Sequence, residues 1–124
     1  MLRPAFTQHL ADTLLAGKHV NLISPHGRGR RQTLLDLETL LDDVVVRKID
    51  LKREQNKWQS WLEDTLILSV QVIVIIHNFD VYFRSTIELD LERLSQQNNL
   101  TFLCIVEHEI THNVYSVQSI ILPL

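Results

Sequence analysis

Residues 108–112 read "HEITH" and residues 24–31 read "SPHGRGRR". The first string has the spacing at which His108 and His112, one helical turn apart, can hold Zn²⁺ while Glu109 acts as the general base of a peptidase. The second sets Ser24, Gly27, Gly29, Arg30 and Arg31 in a glycine-bearing turn between an apolar stretch and an amphipathic one. That is the layout in which backbone amides and a cation cradle a phosphate. A third group of polar residues, His77, Asn78 and Asp80, follows the most apolar run of the chain, residues 72–76.

The zinc reading fails on its surroundings. The flanks "VEHEITHNV" resemble the active helix of thermolysin-like metalloproteases, but such a site needs a third ligand. After His112 the chain offers only "NVYSVQSIILPL", without His, Asp, Glu or Cys. A metzincin-type continuation also fails, because Tyr115 stands where a Gly and Gln118 where a His is required. His77 or Asp80 as an upstream ligand follows no known spacing. The segment leading in, "TFLCIVE", prefers strand, whereas the chemistry requires both histidines on one helix face. With six His in the chain, an accidental match is unremarkable. The sequence therefore places residues 107–112 on a polar loop with no zinc, and a zinc metallopeptidase is kept as the enzymatic alternative.

The elements that carry these groups follow from periodicity. Phe6, Leu10, Leu14 and Leu15 predict a helix over residues 5–16, with Gly17 at its C-cap. "HVNLIS" alternates as a strand and runs into the glycine turn. Leucines at 34, 35, 37, 40 and 41 form one stripe of a second helix, which Asp42 and Asp43 end. Residues 44–51 are rich in β-branched side chains and predict a strand. Trp58, Trp61, Leu62 and Leu66 mark a third helix, the tryptophans serving as core or interface edge rather than as a platform for bases. "VQVIVIIHNFD" predicts a strand covered on both faces. A helix over residues 86–97, the strand "LTFLCIVE" and a last strand within "VQSIILPL" complete the chain. Alternating strands and helices require crossovers, which place helices on both faces of a mostly parallel sheet. The fold class is α/β, a three-layer sandwich around about five strands, in a single domain spanning residues 1–124. Ligands of such sheets sit at the strands' C-terminal ends, in the loops after Ser24, Ile76 and Val106.

Composition narrows the function. With 45% hydrophobic residues and only three Gly and three Pro, the chain can bury a core and is not a disordered tail. A formal charge of −3 gives no general affinity for nucleic acid; Arg28, Arg30 and Arg31 beside His26 are the one basic knot. Cys104 is alone, in an apolar run over residues 103–106, so no internal disulfide forms. No leader-like segment is evident and the longest apolar run cannot cross a bilayer, so the expected location is cytoplasmic, away from membranes.

The order of segments resembles the core of P-loop ATPases of the AAA/STAND type across nearly the whole chain. In that family an Arg-containing lead-in helix ending in Gly precedes the first strand, much like "RPAFTQHLADTLLAGKHVNLIS". A glycine-rich phosphate loop follows and ends in Gly-Lys-Ser/Thr. A strand closing in acidic residues resembles "VIVIIHNFD", a sensor strand resembles "TFLCIVE", and a short strand running into proline resembles "SIILPL". The resemblance implies a P-loop NTPase-like fold and a nucleotide face at the strand ends.

The departures from that pattern decide the functional expectation. With Gly29 as the loop's second Gly, Ser24 stands at the first, Arg30 at the Lys and Arg31 at the metal-binding hydroxyl. Arg30 attracts phosphate but is a planar fork, not a slender ammonium; Arg31 repels Mg²⁺. His77 and Asn78 replace the acidic pair, leaving Asp80 two positions beyond. Phosphoryl transfer by the usual route loses its electrostatic basis. The expectation is a non-catalytic domain without cofactor, kept for protein interaction, assembly or regulation as a homo-oligomer or with a protein partner. The family's helical lid is not expected, and "SIILPL" is expected at a sheet edge with Ile120 and Leu122 offering an apolar patch. Alternatives are a regulator that retains ATP or ADP binding without turnover, and nucleic-acid binding through residues 28–31.

Overall fold

The computed structural model describes residues 1–25, 29–82, 86–109 and 117–123. Its centre is a five-stranded sheet of β1 (Val20–Ile23), β2 (Val45–Asp50), β3 (Val72–His77), β4 (Leu100–Val106) and β5 (Gln118–Ile121). The strand order is β2-β3-β4-β1-β5, and each of these pairings is parallel. The expected three-layer α/β architecture is therefore present. No helix among the described residues is long and apolar enough to cross a membrane.

Two apolar layers fill the space on either side of the sheet, and side-chain alternation assigns residues to them. Val72, Val74 and Ile76 of β3, with Leu100, Phe102, Cys104 and Val106 of β4, face the layer that holds α4 (Trp58–Leu66) and α5 (Thr86–Ser95). Ile73 and Ile75, with Leu103 and Ile105, face the layer of α1 (Pro4–Leu15) and α2 (Arg30–Leu40). A strand with both faces covered needs no polar alternation, which is why β3 reads as an unbroken apolar run. The same reason corrects the reading of "HVNLIS" as alternating, because all four residues of β1 are buried, Asn21 included.

Local chemistry sets the element ends. Pro4 opens α1, where its missing N–H costs nothing. Gly17 closes it in the left-handed region at φ 82°, its N–H bonded to the Leu14 carbonyl at 3.0 Å. The strand over "VQVIVIIHNFD" stops at His77 because Asn78 turns left-handed, at φ 58°, and a 3₁₀ turn, Phe79–Tyr82, follows. Asp50 ends β2 and caps the one-turn helix α3 (Leu51–Glu54) by accepting the Lys52 N–H at 3.0 Å. Edge strand β2 is tied to α4 by Arg47, which donates to the Thr65 hydroxyl at 2.9 Å and to the Trp61 carbonyl at 3.1 Å.

The C-terminal segment differs from the expectation. β5 does lie at a sheet edge, but Leu122 is fully buried with the α1 and α2 layer and Ile120 is partly buried. The exposed residue is Ile121, at 61%. Pairing with β1, which brings Ile120 beside Leu22, sets this phase.

Candidate functional site

Strand order fixes the site's layout. β4 lies between β1 and β3, so the glycine turn after β1 and the polar end of β3 stand about 10 Å apart, two strand spacings. The Ser24 N–H donates to the Val106 carbonyl at 2.8 Å and locks the ends of β1 and β4 together. Ser24 is buried, and its hydroxyl has no hydrogen-bond partner among the described residues. His26, Gly27 and Arg28 lie outside the described residues. Gly29 is the N-cap of α2 at φ 70°, in the left-handed region that favours glycine, and offers no side-chain cap to the first helical amides.

The start of the chain braces this turn. Arg3 donates to the Thr33 hydroxyl at 2.8 Å and to the Pro123 carbonyl at 3.0 Å, joining α2 to both chain ends. A Cβ added at Gly29 would meet a Leu2 methyl at 3.2 Å, so Leu2 already occupies the space against the loop. Sequence reasoning had missed this clasp, since nothing in the local pattern around Arg3 points to residues 33 or 123.

At the end of β3 the polar groups are engaged with each other. The Asn78 amide donates to Asp50 at 2.7 Å, and Asp80 accepts the Glu107 N–H at 2.8 Å, bridging the ends of β3 and β4. Asp50 lies within the strand expected over residues 44–51, with nothing to single it out in the sequence; register places it directly beside His77. Burial alone would raise the Asp50 pKa. The Asn78 amide, the Lys52 N–H and the neighbouring charges of His77 and Arg53 together hold it below the ordinary carboxylate value.

Burial dominates at His77 and lowers its pKa, with Arg30 and Lys48 adding to that and Asp50 opposing it. His19, at the start of β1, is also lowered by burial, against a hydrogen bond with the Ser95 backbone. A buried neutral histidine resists protonation that the unfolded chain accepts. The unfolded chain therefore binds more protons once the pH drops below about 6.5. Stability is complete above that value and falls on acidification. The thermal midpoint should drop between pH 7 and pH 5, and less so in a His19→Gln, His77→Gln double variant; identical pH profiles would sink this assignment.

Two recesses open at this end of the sheet. One, of about 240 Å³, is lined by Arg30, Arg31, Leu34, Leu35 and Glu38 of α2, with Lys48 and His77. Two of its lining residues, Lys48 and Glu38, form an ion pair at 3.0 Å. The other, of about 280 Å³, is lined by Lys52, Asn78, Asp80, Glu107 and His108. The candidates thus divide, with Arg30, Arg31 and His77 in the first recess and Asn78, Asp80 and His108 in the second.

His108 and Glu109 follow β4 in non-helical backbone and are exposed, while residues 110–112, and so His112, lie outside the described residues. Among the described residues no three of His, Cys, Asp and Glu group as metal ligands. Burial raises the Cys104 thiol well above its ordinary pKa, with Glu88 adding to the effect, which leaves it an inert core residue.

No protein-family model matches the chain, and no curated protein matches it significantly. Solved structures do. Drosophila ORC bound to AT-rich DNA and Cdc6 matches with a TM-score of 0.60 at 16% identity, over 85% of this chain and 46% of that one. Drosophila ORC bound to DNA gives 0.59 at 16%, over 85% and 75%. C. elegans PCH-2 gives 0.54 at 15%, over 94% and 41%. The chain thus spans about half the length of the first of these. ORC and PCH-2 are AAA+ P-loop ATPases, and at this identity the likeness is one of fold.

Proposed function

We propose that this chain is a non-catalytic, P-loop ATPase-like domain whose strand-end face binds protein, either a second copy or a partner, as an assembly or regulatory module. The observation that carries the reading is the set of groups where an ATPase holds its metal. Asn78 donates an amide to Asp50, Asp80 is committed to the Glu107 N–H, and Arg30 and Arg31 line a recess with His77. Mg²⁺ requires oxygen donors in an octahedron; the Arg30 and Arg31 guanidinium groups and the Asn78 amide N–H that donates to Asp50 supply none, so no hydrolytic step is assigned to these residues. ORC in the matched structures is bound to DNA. A formal charge of −3 and the presence of Glu38 in the cationic recess favour protein over nucleic acid here.

The purified chain should release no phosphate from ATP or GTP with Mg²⁺. Mg²⁺-dependent release that disappears on Arg30→Ala would overturn the reading. One observation favours a second reading, nucleotide retention without turnover: Gly29 caps α2 with no side-chain cap among the described residues, and Arg30 is the first helical residue. A thermal shift by ADP that needs no Mg²⁺ would establish it. Assembly is tested by light scattering over a dilution series, together with recovery of partners. A monomer at every concentration with no partner would remove the interaction role.

A further inference from the structure

We propose that the recess between α2 and β2 is a docking site for an extended peptide that carries acidic and apolar residues together on one face, at every second position, and joins the sheet as a sixth strand along the outer edge of β2. The proposal rests on the interaction reading above and names the partner's chemistry.

Three features converge there. Among the described residues β2 pairs on one side only, with β3, so its outer backbone groups are open to another strand. Along the α2 flank, Arg30 is half-buried and Arg31 exposed, and neither forms an ion pair with a described acidic residue; Lys48 is held by Glu38. Between these charges Leu34 is buried and Leu35 is 50% exposed, an apolar wall inside a cationic rim.

Charge selects the occupant. A strand added beside β2 alternates its side chains between the two sheet faces, so every second residue faces α2. Acidic residues at some of those positions meet Arg30 and Arg31, and apolar ones meet Leu35. A second copy of β2 is a poor fit, because two such edges would set Arg47 and Lys48 against their own kind. A polyphosphate backbone is also a poor fit, since it would run its charge past Glu38 and two leucines.

The test is selection from a random-peptide display library on the intact folded chain, followed by anisotropy titration of a fluorescein-labelled copy of the most enriched peptide. Enriched sequences should carry Asp or Glu and apolar residues two positions apart, on the one strand face that meets α2. Arg31→Glu and Leu35→Asp, both at exposed positions, should each weaken that peptide by about tenfold or more. Lys57→Glu, the same charge change on an exposed residue outside the recess, should leave it unchanged. Circular dichroism melts confirm that each variant is folded. No enrichment, enrichment without that spacing, or equal weakening by Lys57→Glu overturns the proposal. The hydrolysis assay is independent: phosphate release defeats the non-catalytic reading whatever the selection yields, and failed selection alone leaves that reading intact.

Discussion

Leu122→Asp should leave the chain largely unfolded, whereas Ile121→Asp, one residue earlier, should change its stability by no more than about 0.5 kcal/mol. Leu122 is fully buried, in one apolar layer with Leu10, Leu14, Leu22 and Leu37, and its N–H donates to the Ile23 carbonyl at 2.8 Å. A carboxylate placed there would sit among apolar side chains. Truncating a buried leucine already costs about 2–5 kcal/mol. Burying an unpaired charge adds several more, against a total stability of about 5–15 kcal/mol for a domain. Ile121 points to solvent, so aspartate there removes little apolar contact. Urea titration followed by the fluorescence of Trp58 and Trp61 measures both variants. An unchanged midpoint for Leu122→Asp would mean that the last strand does not close the α1 and α2 layer.

This contrast marks where the sequence is legible and where it is not. Covered strands reveal themselves because five consecutive apolar residues, 72–76, have few other uses, and the structure splits them between the two layers by simple alternation. Gly17 likewise announces the end of α1, since the left-handed turn it makes is a local requirement. "SIILPL" is apolar at four of six positions, and nothing within it says which of Ile120, Ile121 or Leu122 faces out. The phase comes from its pairing with β1, almost a hundred residues away in sequence, and only the assembled sheet contains that information.

The candidate site divides in the same way. Arg30, Arg31, His77 and Asn78 stand out as residue types at motif positions, so their presence at the strand ends follows from the order of elements. Their partners do not. Asp50 reaches Asn78 across 28 residues of sequence, and Arg3 reaches Thr33 across 30. The recess is lined by α2, by Lys48 of the outermost strand β2 and by His77 of β3, a juxtaposition that follows from strand order and that no single segment encodes. A motif-level reading therefore identifies which residue types stand at the strand ends, while the recess they help to line appears only when β2, β3 and α2 are set side by side.

Phe102→Ala should cost about 3–5 kcal/mol at neutral pH, the usual range for removing a buried phenylalanine ring, and measurably less in acid. Phe102 lies on central strand β4 at 1% exposure, within the layer of α4 and α5. Its ring stacks on the imidazole of His19 with centroids 4.3 Å apart and planes 12° apart, and its N–H donates to His19 Nδ1 at 3.2 Å. An accepting Nδ1 has no room for a proton, and burial lowers the His19 pKa. Removing the ring admits water to one face of the imidazole, which moves that pKa back toward its ordinary value. The wild-type chain loses stability as the pH falls below about 6.5, because only the unfolded state takes up the proton easily. The variant loses less over the same range, since its folded state also accepts the proton. The two stability curves should therefore converge from pH 7.5 to pH 5, as read by urea denaturation at each pH. Phe102→Leu, which keeps most of the cover, should run parallel to wild type. A Phe102→Ala penalty that is the same at both pH values would show that the ring does not shield His19, and that its contribution is packing alone.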